Sequence, residues 1–413
     1  MSLTNAIAPN KVSRLAPNTK RLANRSLHEQ STPAKQAHIK TAHSEDLNPT
    51  VAARELYNGL YQDNLECIIF FCSVEYDLPA LANALTLQFG DVALLGCTTA
   101  GEITPMGYRR GSITGFSLPA DYFSVEAVQI NDLYNFSFSD AQSLIQEMLQ
   151  SLEQKAITPL EGNSFALSLL DGLAIREEMV LSALNDSLRK IPLVGGSAGG
   201  DLDFKDTHIF YNGQFSSNAA IIVMVNTSCP FEVFSSHHLE PEDTKLVVTA
   251  ADPQARVVQE FNAEPAALEY ARAIGLPLEE LGLKTFALHP IGVNINDRCF
   301  IRSIKQVNDD LSLTFFCAID EGIVFSTCSR GDQVAHLNEL MDCLHRCIGK
   351  PQLIIGCDCL LRRIEIDHLH LENQMSRIFM ENNVIGFETY GEQTHAMHVN
   401  QTFSGVAIGS PPA

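Results

Sequence analysis

Apolar and polar positions along this chain switch repeatedly between a strand-like and a helix-like period. Leu65–Ser73 (LECIIFFCS) is an unbroken apolar run, the pattern of a strand covered on both faces. Pro79–Phe89 carries Leu81, Leu85 and Phe89 at helical spacing, and Val92–Gly96 reads as a short strand ending at glycine. Strands are predicted over Ser112–Leu118 and Ser124–Ile130, a helix over Ser139–Leu152, a strand over Ser164–Leu170 and a helix over Arg176–Arg189. Leu193–Gly195 and Ala219–Val225 are again strand-like. From Leu246 a second region begins. Leu246–Ala250 and Val257–Phe261 form a hairpin pattern across Asp252-Pro253, and Pro265–Ala273 is helical. Phe286–Pro290, Cys299–Ile304, Leu311–Phe316 and Leu353–Cys357 read as strands. Long helices are predicted over Ser329–Ile348 and Ile366–Glu381, then strands over Val384–Tyr390 and Thr402–Ile408. The pattern implies an α/β (α+β) protein: two related sheet-containing domains, 51–245 and 246–413, with helices packed on the sheets. Residues 1–50 lack apolar periodicity, are net basic, and read as a disordered arm.

One spelling recurs three times: Leu95-Gly96-Cys97-Thr98-Thr99-Ala100-Gly101-Glu102, Val194-Gly195-Gly196-Ser197-Ala198-Gly199-Gly200-Asp201, and Ile385-Gly386-Phe387-Glu388-Thr389-Tyr390-Gly391-Glu392. Each has an apolar strand end, a glycine, a second glycine and then an acid. Glycine permits positive φ or close backbone approach. The structural reading is a strand-end turn capped by its acid. The functional reading is a set of turns at one end of a sheet that lines a ligand crevice. Its candidate pocket residues are Gly96, Thr99, Gly101, Glu102, Gly195, Gly196, Asp201, Tyr390, Gly391 and Glu392. Neither a P-loop nor a Rossmann fingerprint is spelled.

Composition narrows the partners. The formal net charge of −21 opposes phosphate backbones, so nucleic acid is not expected. No apolar run reaches the length of a membrane span and no secretory signal is read, so membrane insertion is not expected and the reading is cytoplasmic. The 11 cysteines, an odd number with many in core-like runs, agree with a reducing compartment.

GCTTAGEI (Gly96–Ile103), Asp171-Gly172 and PLVGGSAGGD (Pro192–Asp201) resemble the N-terminal domain of the FIST sensory family. GCDCLLRR (Gly356–Arg363), GFETYGEQ (Gly386–Gln393) and HVNQTF (His398–Phe403) resemble its C-terminal domain. The resemblance implies a ligand-sensing module of signal transduction, not an enzyme. Ser235–Pro253 and Phe261–Arg272 are similar to the nitric-oxide-sensing haemoprotein (NosP-like) branch. That branch implies haem b, nitric oxide as gas ligand, and a partner histidine kinase in a two-component system. The alternative is a FIST sensor of a small metabolite such as an amino acid, without haem.

Haem needs an axial ligand and an apolar cleft. Among the 13 histidines, His237 and His238 are the first candidates for iron, because neighbours on an extended segment face opposite ways. His395 and His398 are the second. Cys229, before Pro230, offers a thiolate. Against these stand satisfied loop and core histidines. Glu102, Asp201 and Glu392 would suit acid/base chemistry if they converged. No His-Glu-x-x-His zincin signature is present. Homo-oligomerisation stays open.

Overall fold

The computed structural model describes residues 11–14, 38–188, 190–296, 298–394 and 397–411. The chain is mixed α/β, with helices packed on sheets. The repeat runs one step beyond two halves, because the three spellings mark three copies of one unit. Each copy places helical chain between two parallel strands, one helix in the first two copies and two in the third. In the first, Leu65–Ser73 runs parallel to Leu94–Thr99. In the second, Ser164–Asp171 runs parallel to Leu193–Ala198. In the third, Leu353–Cys359 runs parallel to Val384–Thr389. A short hairpin and an antiparallel return strand follow each pair: Ile113–Pro119, Ala220–Thr227 and Phe403–Ile408.

The hairpins do not stay with their own units. Glu102–Thr104 pairs with Val384–Thr389 of the third unit. Ile209–Tyr211 pairs with Leu94–Thr99 of the first. Glu392–Thr394 pairs with Leu193–Ala198 of the second. Each unit therefore lends a hairpin to another, and the exchange closes a ring of three sheets.

Strand alternation explains why the apolar runs are unbroken. Ile69 and Phe71 face a core shared by all three sheets, while Ile68, Phe70 and Cys72 pack under helices Pro49–Leu60 and Leu78–Phe89. Leu167 and Ile355 enter the shared core, and Ala166 and Ile354 face the helices of their own units. Helix starts follow local chemistry. Asp77 accepts from the Ala80 amide with Pro79 in the first turn, and Ser137 and Asp140 form a capping box ahead of Phe138–Lys155.

A fourth, antiparallel sheet from Leu239 to Arg330 is inserted into the third unit, between Phe231–Ser236 and helix Gln333–Ile348. Several expectations change here. Phe286 and Ala287 belong to helix Leu283–Leu288, not to a strand, and the strand begins at Ile291. The stretch expected as one helix over Ile366–Glu381 is two, Leu360–His368 and Glu372–Glu381, broken where His370 takes a φ of 57°. Ser329 and Arg330 end a strand, and the helix starts only after its cap, Asp332. The arm is not wholly without structure. Val12–Arg14 adds to the edge of Phe123–Ile130, and Lys40–Ser44 pairs with Ile113–Pro119. No described helix is long and apolar enough to cross a membrane.

Candidate functional site

The three glycine turns meet where the three sheets converge. Ala100 N donates to Glu388 O at 3.0 Å and Glu388 N to Gly101 O at 2.7 Å. Ser197 N donates to Gly391 O at 2.9 Å, and Gly199 N to Thr98 O at 3.0 Å. None of the six repeat glycines named as candidates or in the third spelling needs a positive φ; close approach is what selects them. A Cβ on Gly96 would lie 2.5 Å from the Phe70 carbonyl of the parallel neighbour, and one on Gly101 2.6 Å from the Glu388 carboxyl carbon. Gly195 and Gly386 press on strand carbonyls in the same way as Gly96, Gly391 presses on the His398 ring, and Gly196 faces Thr389 and Phe387.

Two of the three acids do the same structural job. Glu102 is buried and accepts from the Thr99 hydroxyl, from Ser112 Oγ at 2.7 Å and from Ser112 N at 3.2 Å. Glu392 accepts from the Thr389 hydroxyl, from Thr402 Oγ1 at 2.9 Å and from Thr402 N at 3.1 Å. Each acid ties its exchanged hairpin to the strand before it and to the return strand after it. Burial pushes Glu102 up to about 7 and Glu392 to about 8, against the pull of these donors. The second unit is different. Ala198 replaces the threonine, Asp201 is exposed, and buried Asp171 takes the donors, from the Thr207 hydroxyl and the Asn218 and Leu173 amides.

Release of Asp201 from that role opens a cleft. A cavity of about 80 Å³ is lined by Ser73, Glu75, Thr99, Glu102, Arg110 and Asp201. A second, of about 300 Å³, shares Asp201 and is lined by Tyr76, Asp77, Asp203, Asp206 and His208. Tyr390 steadies the loop between them, donating its hydroxyl to Asp201 O at 2.6 Å and packing on Phe204. Glu102 and Asp201 thus share a wall, whereas Glu392 lines neither cavity.

Sequence reasoning missed Arg110 and Glu388. Glu388 is fully buried under Gly101, and neither carboxylate oxygen has a hydrogen-bond partner. Its nearest cations are Arg363 Nη1 at 3.6 Å and Arg110 Nη2 at 3.9 Å. Burial pushes its carboxyl up to about 8 despite both. The signal was present in the repeat: Glu388 stands where the other units have Thr98 and Ser197.

The expected histidines lie elsewhere. His237 is half-buried, with Nε2 donating to Cys299 O at 3.0 Å and Nδ1 accepting from Leu239 N at 3.3 Å. Burial lowers its pKa. His238 is buried, with Nε2 on the Glu365 carboxylate at 3.0 and 3.1 Å and Nδ1 accepting from Arg362 at 3.3 Å. Arg362 continues to Asp358 at 2.7 Å, and Asp358 to the Tyr108 hydroxyl. His395 lies outside the described residues. His398 is buried, its ring unbonded, with Nδ1 3.5 Å from Glu178 Oε1. Cys229 is buried, and burial raises its pKa.

Residues 66–264 match the FIST N domain and residues 266–395 the FIST C domain. The chain belongs to the FIST family. FIST domains are modules of signal-transduction sensing. The chain is also similar to an uncharacterized protein of Methanocaldococcus jannaschii, 22% identical over 356 residues, covering 76% of this chain and 67% of that one.

Within this FIST protein, His237 and His238 do not fit haem. An axial ligand needs a free imidazole nitrogen, and all four of theirs are engaged. The first cavity is lined mainly by polar and charged groups, and in the second Val74, Tyr76, Leu78 and Pro79 alternate with Asp77, Asp201, Asp203 and Asp206, so neither is an apolar cleft. Glu177, Glu178 and His398 are the one group with metal-ligand spacing among the described residues. There, Arg256 Nη2 already contacts both carboxylates at 2.6 Å and supplies the positive charge a cation would bring. Gly195-Gly196-Ser197-Ala198-Gly199 spells Gly-x-Ser-x-Gly, but Ser197 lies inside a strand and its hydroxyl accepts from Gln393 Nε2 at 3.3 Å, so no nucleophile elbow is formed.

Proposed function

We propose that this FIST protein is a sensor whose ligand is a small zwitterion of the amino-acid type, bound in the cleft above Gly101. Arg110 takes the ligand carboxylate, and the acids of the shared wall, Glu75 and Asp201, take its ammonium. The observation that carries this reading is Arg110: its guanidinium lines the polar cavity, 3.9 Å from Glu388, a buried carboxylate without a hydrogen bond. Glu388 makes no hydrogen bond to Arg110, so the guanidinium keeps its donors available for a second carboxylate. A carboxylate ligand on Arg110 competes with Asp367 and Glu388, 3.5 and 3.9 Å from its Nη2. Both acids belong to the C-terminal domain, and Arg110 to the N-terminal one. Binding therefore redistributes an ion pair between the two domains, and a protein partner, a histidine kinase by the branch resemblance, reads the change.

The test is a thermal-shift and calorimetry screen of the twenty amino acids against the full chain. A ligand at 100 times its Kd raises stability by about 2.7 kcal/mol. The Arg110→Ala variant keeps its fold and loses the response. If no amino acid binds and haemin reconstitution gives a Soret band near 400 nm, the zwitterion reading fails and the haem and nitric oxide reading takes its place.

A further inference from the structure

Cys299 and Cys328 come together in the fourth sheet, although a strand separates them. Cys299 lies in the edge strand Arg298–Ile301, Cys328 in Val324–Arg330, and Ile291–Ile295 runs between them. Their sulfurs are 3.9 Å apart. They meet over Gly292, where a Cβ would lie 2.5 Å from Cys299 Sγ and 3.2 Å from Cys328 Sγ. A side chain on the middle strand would fill this space, so the missing one is what lets the thiols approach.

The two sulfurs are also unequal. Cys299 is half-buried and reachable, whereas Cys328 is buried. The contact with the Cys328 sulfur lowers the pKa of the Cys299 thiol, and the Lys245 ammonium adds to this against partial burial. The same contact pushes the Cys328 thiol up, with burial and the Cys299 and Glu242 charges adding to it. Lys245 is anchored on Ser326 Oγ at 2.6 Å, on the strand that carries Cys328. A low-pKa accessible thiol beside a protonated one is the arrangement of an attacking and a resolving cysteine.

We propose that Cys299 and Cys328 form a reversible disulfide when the protein meets a hydroperoxide. The Cys299 thiolate attacks the peroxide oxygen, the O–O bond breaks, and the alkoxide leaves as alcohol after taking a proton. Cys299 is then a sulfenic acid. Cys328 attacks its sulfur, the S–O bond breaks, and the hydroxide departs as water with the Cys328 proton. Two thiols and one hydroperoxide thus give one disulfide, one alcohol and one water. The sulfurs must close from 3.9 Å to about 2.05 Å. Because Ile291–Ile295 lies between the two cysteines, their Cα atoms must also come within the roughly 7 Å that a disulfide spans. Arg298–Ile301 is paired on one side only, so this edge strand gives up its ladder to Ile291–Ile295 and swings over Gly292 toward Cys328. Its Cys299 carbonyl is held by His237 Nε2 at 3.0 Å. Closure therefore pulls on the His237–His238 segment, which joins the third sheet to the fourth.

The experiment uses the full chain with Cys343→Ser and Cys347→Ser, because these exposed thiols on helix Gln333–Ile348 would also react. Substoichiometric hydrogen peroxide is added, free thiols are alkylated, and digests are read by mass spectrometry. The expected result is a cross-linked pair of peptides carrying Cys299 and Cys328, two hydrogens lighter than the thiols and restored by dithiothreitol. In Cys328→Ser the expected product is a Cys299 sulfenic acid trapped by dimedone, and in Cys299→Ser neither product forms. A parent protein that accumulates the Cys299 sulfenic acid with Cys328 still reduced overturns the proposal. So does one in which both remain thiols while free glutathione in the same tube is oxidised.

Discussion

Phe71 of the first unit and Phe387 of the third stack in the shared core, with ring centroids 4.5 Å apart and planes 23° apart. Phe71 lies in the FIST N match and Phe387 in the FIST C match. The two family domains therefore share one interior, and their stabilities are linked. Phe387→Ala should cost about 3–5 kcal/mol. Urea unfolding followed by circular dichroism and by tyrosine fluorescence should show one coincident, shifted transition rather than the early melting of one domain.

The buried acids make stability fall as pH rises. Glu102 and Glu392 have an ordinary value of 4.5 and are pushed up to about 7 and 8 in the folded chain. A carboxyl whose folded value is the higher one holds its proton better when folded, so its contribution is full below about 4.5 and is lost as pH rises through 7 to 8. Together they carry on the order of a few kcal/mol. The double variant Glu102→Gln, Glu392→Gln should flatten the pH dependence of the urea midpoint over this window. Some slope should remain from Glu388, which is also raised, to about 8.

Gly96 separates crowding from backbone freedom. A Cβ there meets the Phe70 carbonyl at 2.5 Å, while Gly275, which ends helix Ala266–Ile274 with a φ of 71°, has nothing within 4 Å of its Cβ position. Gly275→Ala should cost about 1 kcal/mol through its left-handed backbone, at φ 71° and ψ 27°. Gly96→Ala forces two parallel strands apart inside the sheet and should cost more than that, on the order of 2–3 kcal/mol. Melting temperatures of the two variants check the ranking.

Arg256 compensates two carboxylates at once, and removing it should reveal latent cation affinity. Arg256→Ala leaves Glu177 buried and Glu178 half-buried without their partner, at a cost of about 3–5 kcal/mol. Zinc should raise the melting temperature of this variant through Glu177, Glu178 and His398, and leave that of the parent chain unchanged.

The legible parts of the fold were those whose pattern is local. Leu65–Ser73 was readable to the residue because both faces are covered and its centre, Cys67–Cys72, is apolar at every position. Phe286–Pro290 misled because a six-residue helix is too short to show its period. The break near His370 was hidden because the helices on both sides carry apolar residues at similar spacing. In the site, Thr99, Gly101, Glu102 and Asp201 were visible through the repeat. Their split into structural staples and cavity wall was not, because it depends on Ser112, Thr402 and Asp171, at distant positions in the chain. Glu388 stood out in the repeat as an acid where the other units have Thr98 and Ser197, but Arg110 was beyond reach for the same reason as that split: only the exchange of hairpins between units makes the two neighbours.

That exchange also governs how the molecule can be dissected. A fragment stopping near residue 264 would keep the lent strand Glu102–Thr104 but lose the sheet that receives it, and would bare the flank of Leu193–Ala198 where Glu392–Thr394 docks. Such open flanks recruit whatever strand is at hand, and in a concentrated solution that is the orphaned hairpin of an identical fragment. The boundary between the two family domains marks a position along the polypeptide, not a seam along which the protein comes apart.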